Sequence, residues 1–204
     1  SGSVTRLGGS DRYATAALVS RAFFSPGVPA AFVATGANYP DALSGGPAAA
    51  ASRSPMLLTR LDTVPPPTAT EIQRLRPATI YILGSGGVVS DGVANQLRDL
   101  SGARIVRLAG TDRYATSAAI SRQFFGAPPA AYLATGVNFP DALAAVPPAG
   151  SVASPLLLVQ PTAVPAVIAT ELRRIWPPRT VILGSAGAVS DGVVSQIRGL
   201  LGNP

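Results

Sequence analysis

Residues Arg6 to Phe24, RLGGSDRYATAALVSRAFF, are answered 101 positions later by Arg107 to Phe125, RLAGTDRYATSAAISRQFF, with 13 of 19 positions identical. The offset falls to 100 across the next loop, where SPGVPAAF meets GAPPAAY. It stays there through ATGANYPDAL against ATGVNFPDAL and ILGSGGVVSDGV against ILGSAGAVSDGV. A repeat of this length found twice makes the chain a tandem pair of like units. We place the division near Ser101-Gly102, giving units 3–102 and 103–204, each large enough for a small core of its own.

Inside each unit, short runs rich in Val, Ile and Leu alternate with longer helical patterns, which predicts an α/β class of two tandem Rossmann-like three-layer units with mainly parallel sheets. In the first unit, strands are predicted near Val4–Leu7, Ala31–Thr35, Met56–Thr59 and Thr79–Leu83, and helices over Asp11–Phe24, Asp41–Ala51, Pro67–Arg76 and Asp91–Leu100. Tyr13, Ala16, Ala17, Ser20, Phe23 and Phe24 recur at spacings of three and four, so one face of the first helix is expected on the sheet, with Arg12 and Arg21 off it. Ser10, Thr111, Ser90 and Ser190 stand where side-chain oxygens cap free helix amides, followed by Asp11, Asp112, Asp91 and Asp191 at the favourable end of the helix dipole. The small-residue run Gly45–Ala51 lets another backbone approach closely and suits docking of one unit on the other.

Composition narrows the chemistry. The 204 residues carry no Cys and no His, so zinc sites, thiol nucleophiles, Ser-His-Asp triads and disulfides are excluded. All 16 basic residues are Arg, which removes Schiff bases and the Walker lysine. Against 10 acidic residues the charge is +6, dispersed with no run longer than Arg173-Arg174, a pattern that suits an anionic polymer better than nucleic acid. With 47% hydrophobic residues the chain is expected to fold. Pro and Gly interrupt every apolar stretch, as in Ala142–Val159, so a soluble chain with no transmembrane segment is expected. Ser1-Gly2-Ser3 has no signal-peptide character and reads as an expression scar or a processed end.

The most informative turn follows the second predicted strand: Gly36-Ala37-Asn38-Tyr39-Pro40-Asp41, repeated as Gly136-Val137-Asn138-Phe139-Pro140-Asp141. Open parallel sheets bind ligands outside the carboxyl ends of their strands, and Asp11-Arg12-Tyr13 is delivered to the same edge. Arg12 beside Asp41 reads either as an ion pair joining two helix starts or as part of a ligand site. A carboxylate at that helix start disfavours phosphate, whereas Asn, Asp and Arg together can donate to and accept from sugar hydroxyls. Gly84-Ser85-Gly86-Gly87 completes no dinucleotide motif and becomes Gly184-Ser185-Ala186-Gly187 in the second unit, so no cofactor is expected. The runs Pro55-Met56-Leu57-Leu58 and Pro155-Leu156-Leu157-Leu158 suit buried strands.

These strings, with their second copies, resemble the cell-wall-binding repeat type 2 family of Gram-positive surface proteins, from about Val4 to Leu201. The resemblance implies an exported, non-catalytic module at the cell wall or cell surface. Such a module would hold S-layer proteins, amidases or proteases there by binding anionic secondary wall polymers or peptidoglycan. It also implies association with further copies, since three copies commonly form a triangle in that family, and it links the Pro-Leu-Leu-Leu run to polymer binding, from which Met56 departs. Carried over residue by residue, the ligand-binding candidates are Arg6, Arg12, Asn38 and Asp41, with Arg107, Arg113, Asn138 and Asp141 as the second set. The arginines would pair with phosphate or pyruvate groups while Asn and Asp meet hydroxyls. Two rivals stand beside this reading. A sugar-phosphate enzyme would need a general base, for which Asp41 has no repeated acidic neighbour close in sequence. A self-assembling surface protein would use the small-residue faces for homotypic packing.

Overall fold

The computed structural model describes residues 2–202. Its elements, in chain order, are α1 (Arg12–Phe23), β1 (Ala30–Thr35), α2 (Pro40–Ala51), β2 (Met56–Thr59), α3 (Pro66–Leu75), β3 (Thr79–Leu83), α4 (Asp91–Ser101) and β4 (Arg104–Leu108). They continue as α5 (Arg113–Phe124), β5 (Ala131–Thr135), α6 (Pro140–Ser151), β6 (Leu156–Val159), α7 (Ala166–Ile175), β7 (Thr180–Ile182) and α8 (Asp191–Leu200). The strands form two parallel sheets, one of four strands in the order β2-β1-β3-β4 and one of three in the order β6-β5-β7. Val33 of β1 lies between Leu57 and Ile82, and Leu133 of β5 between Leu157 and Ile182, all but the last of these side chains buried. Strands covered by helices on both faces read as continuous apolar runs, which is why these were legible.

The expected strand at Val4–Leu7 does not form, and Val4 is fully exposed. A strand needs a neighbour, and among the described residues this segment has none. Its counterpart in the second repeat is β4, which pairs with β3 of the first repeat in the register Tyr81↔Val106, Ile82↔Arg107, Leu83↔Leu108. The second repeat's leading segment thus completes the first repeat's sheet, which has three strands of its own plus one borrowed, whereas the second sheet has three strands.

Helix starts follow the sequence with one correction. Ser90 and Ser190 cap α4 and α8, accepting from Val93 N and Val193 N. At α1 and α5, however, the cap is the aspartate: Asp11 and Asp112 are extended, and their carboxylates accept from Ala14 N and Ala115 N. The capping oxygen must sit three residues before the amide it receives, and an ionised oxygen in that place holds the amide more strongly than the preceding hydroxyl could. Phe23, expected on the sheet, is 73% exposed, while Ala17 and Ser20 are buried as predicted.

The two repeats dock through α2 and α6, and α5 packs on α2 as well. The small residues permit this approach, as their run suggested: a Cβ on Gly46 would stand 2.6 Å from Val146 Cγ1, and one on Gly150 would stand 2.6 Å from Ala50 Cβ. Ile120 and Phe125 of the second repeat complete the core around Phe32, Ala34, Ala48, Leu83 and Leu108. At the loop end, Tyr39 and Phe139 meet at 5.0 Å between ring centroids, and Tyr39 OH donates to Val137 O at 3.2 Å.

Candidate functional site

The strand-end loops of both repeats converge where α2 meets α5. Asn38 and Asp41 of the first repeat and Thr111, Arg113 and Thr116 of the second, with Ser85 from the β3–α4 turn, line a cleft of about 180 Å³. Three of the eight residues proposed from sequence, Asn38, Asp41 and Arg113, come together here, and they come from different repeats.

The partner of Asp41 is thus not Arg12. Nη1 of Arg12 donates to Gly36 O, and Nη1 of Arg113 makes the same bond to Gly136 O. Each arginine follows the Asp cap of its helix and is held against the glycine that follows β1 in the first repeat and β5 in the second. The docking of α5 on α2 then brings Arg113 into one cleft with the first repeat's Asp41. Burial pushes the Asp41 carboxyl above its usual range, and the positive charge of Arg113 pulls it partly back. The carboxylate lies tight against the β3–α4 turn, where Gly84 has φ +101° and a Cβ would fall 2.5 Å from Asp41 Oδ2. Only glycine combines that backbone with that approach.

Arg12, Asn38 and Tyr39 line an adjoining hollow of about 340 Å³ floored by Leu58. Tyr13 closes over Gly36, and the guanidinium of Arg60 sits 5.4 Å from the Tyr13 ring centre. Sequence reading missed Ser85, Thr111 and Thr116. Their hydroxyls were visible as turn and helix residues, but nothing in the chain order places the second repeat's helix start beside the first repeat's turn.

The remaining candidates divide. Arg107 bonds the β3–α4 turn, its Nη1 donating to Gly84 O at 3.0 Å and Val89 O at 2.8 Å, and its Nη2 to Asp91 Oδ1 at 2.9 Å. Its fork is used in joining β4 to that turn. Arg6, the equivalent residue, is exposed with no acceptor among the described residues. Asn138 and Asp141 occupy the equivalent turn of the second repeat, and among the described residues no helix start stands opposite them as α5 stands opposite Asp41. The buried carboxylates Glu71 and Glu171 belong to the cores: Glu71 accepts from Ser20 Oγ at 2.6 Å and from Arg74, and Glu171 accepts from Arg174 and faces Arg122. No helix is long and apolar enough to cross a membrane, and no cluster of acidic residues could hold a metal ion, among the described residues.

A family model described as Cell wall binding domain 2 (CWB2) matches residues 6–94 and 107–194. The chain is 32% identical over 195 residues to N-acetylmuramoyl-L-alanine amidase LytC of Bacillus subtilis (strain 168), covering 96% of this chain and 39% of that protein. It is 31% identical over 194 residues to the Amidase enhancer of the same organism, covering 95% and 26%. In three dimensions it is similar to Cwp6 from Clostridium difficile, with a TM-score of 0.88 at 25% identity over 95% of this chain and 31% of that one. Cwp8 from Clostridium difficile gives 0.86 at 26% identity over 97% and 34%. The chain spans between 26% and 39% of the length of the curated relatives it matches.

Proposed function

The chain belongs to the Cell wall binding domain 2 family, and from that membership we propose that it is a non-catalytic anchor holding an exported protein on the Gram-positive envelope through an anionic secondary wall polymer. In this reading units 3–102 and 103–204 act as one binding surface outside the cell. The observation that carries it is the cleft between the repeats. Arg113 supplies a fixed fork for phosphate or carboxylate groups, while Asn38, Asp41 and the hydroxyls of Ser85, Thr111 and Thr116 supply donors and acceptors for sugar hydroxyls. Arg12 and Asn38 extend the polar surface along the adjoining hollow. Arg6, Arg107, Asn138 and Asp141 complete the proposed set, Arg107 chiefly by fixing the turn that carries Ser85.

A non-catalytic role fits the disposition of the carboxylates. Of the two carboxylates that line the cleft, Asp112 is taken up in capping α5, its Oδ1 accepting from Ala115 N, so Asp41 has no free acidic partner there for acid–base work, and the two buried glutamates are bonded to arginines in the cores. The amidase named among the relatives is matched over 39% of its length, so its activity is a property of that longer protein.

The test is co-sedimentation with wall sacculi before and after acid extraction of their anionic polymers, across a salt series. Binding should be lost on extraction, weaken as salt rises, and fall when Arg113→Ala and Asp41→Asn are introduced separately. Binding that survives both extraction and substitution would place recognition on peptidoglycan and elsewhere on the surface.

A further inference from the structure

The strands of both sheets point the same way. The loops that follow β1 and β5 meet through Tyr39 and Phe139, and the connections that enter β2, β5 and β6 meet at the opposite end, where Ser52, Gly126 and Ala153 line one hollow. The molecule therefore has a cleft end, with the helix starts and strand carboxyl ends, and a far end, with the helix carboxyl ends and strand starts.

Charge divides between these ends. Seven of the eight aspartates stand at helix starts or, for Asp62, in the loop after β2, so they share the cleft end with Arg6, Arg12, Arg60, Arg107 and Arg113. The other eleven arginines stand in the last turn of a helix, in the connection that follows it, or at the first residue of a strand. Three acids remain to offset them. Glu71 and Glu171 are buried and already hold Arg74 and Arg174, with Arg122 beside Glu171, which leaves the exposed Asp99. The net charge of +6 thus lies wholly at the far end, while the cleft end is slightly acidic. Eight far-end arginines, among them Arg76, Arg98, Arg104, Arg179 and Arg198, are exposed and make no ion pair among the described residues.

Helix capping accounts for part of this pattern. A cation in a last turn is favoured by the helix dipole, which covers Arg21, Arg98, Arg173 and Arg198. It does not cover Arg104, the first residue of β4, or Arg179, in the connection before β7. Exposure here does not depend on an open sheet edge either. Trp176 is 57% exposed with Arg198 on the same hollow, and their counterparts Arg76 and Arg98 are exposed where the sheet continues into β4.

We propose that the far end is a second binding surface, which holds a linear polymer of repeated phosphate groups by dispersed charge while the cleft between the repeats meets sugar hydroxyls. Charge complementarity selects the occupant. The exposed arginines come from five helix ends and two strand starts of both repeats, so they match a chain of anions, with release of its counterions, better than a single ion. A membrane surface would take an apolar helix face lying flat, whereas the helices reach this end by their carboxyl termini. The proposal rests on the preceding reading only for the natural source of the polymer. Its test contains no wall material, so either can fail alone.

Trp176 is the chain's one tryptophan and ends α7 at the far end, so its fluorescence reports this surface and not the cleft. Quenching by neutral acrylamide is measured with and without long-chain inorganic polyphosphate. Polyphosphate should lower the quenching constant by about half, and its apparent affinity should fall about tenfold or more between roughly 50 and 200 mM salt. Arg98→Gln, Arg104→Gln, Arg179→Gln and Arg198→Gln together should abolish the protection, with folding checked by circular dichroism. The same loss of charge placed at exposed cleft-end positions, by Thr63→Asp, Gly86→Asp, Thr162→Asp and Ala186→Asp, should leave most of it. On the unsubstituted chain, polyphosphate that leaves Trp176 as open to acrylamide as before would overturn the proposal. So would equal losses in the two substituted chains, or protection given by phosphatidylglycerol vesicles and not by polyphosphate.

Discussion

Arg6 and Arg107 are the same residue of the repeat, yet their removal should cost very different amounts of stability. Arg107 is about three-quarters buried, and its Nη1 donates to two main-chain carbonyls at 3.0 and 2.8 Å. Its ion pair with Asp91 contributes little, because that carboxylate is 89% exposed and solvent screens it. Hydrogen bonds from a charged donor contribute about 1.5–3 kcal/mol each, but water reaching the vacated site recovers part of this, so Arg107→Ala should destabilise the fold by roughly 2–3 kcal/mol. Arg6→Ala should change stability by less than about 0.5 kcal/mol, as ordinary surface substitutions do. Urea unfolding at low micromolar concentration, followed by circular dichroism, measures both. Equal losses in the two variants, or no loss in Arg107→Ala, would refute the argument that β4 is locked to the β3–α4 turn by this side chain.

Three further outcomes follow from the same joint. Ile120→Ala should cost about 2–5 kcal/mol and Val19→Ala under about 1 kcal/mol, since only Ile120 fills a core; thermal denaturation of the two variants checks this. Asp41→Asn should be more stable than the parent at pH 7. Burial holds the folded pKa above 3.8, so the carboxyl's favourable contribution is present below that value and lost as pH rises through the folded pKa. The two melting curves should therefore converge toward pH 3, and a gap that widens in acid would contradict the burial argument. Gly84→Ala should destabilise by roughly 1–3 kcal/mol, because φ is +101° and the new Cβ meets both Asp41 and Val88 at 2.5 Å; chemical denaturation reads the loss.

Much of this protein was written in the order of its residues. The repeat, the alternation of apolar runs with helical spacing, and the serine caps of α4 and α8 placed β1, β2 and β3 and the helices between them to within a residue or two. Local signals suffice there because a doubly covered strand must be apolar throughout and a helix start must satisfy its free amides. The small-residue run on α2 also announced a close helix contact, and α6 provides it.

What the chain order could not settle was which copy of a motif meets which. Val4–Leu7 and Arg104–Leu108 carry nearly the same strand signal, yet only the second is a strand, because only it has β3 beside it. Arg12 and Arg113 are equivalent in sequence, yet only Arg113 shares a cleft with a half-buried aspartate of the other repeat, because α5 packs on α2 and no described element stands at the matching place on α6. Hydrophobic pattern and capping are properties of a segment, fixed by its own residues. Strand partners, cleft walls and a carboxylate's burial are properties of two segments brought together, so the tertiary structure alone decided them.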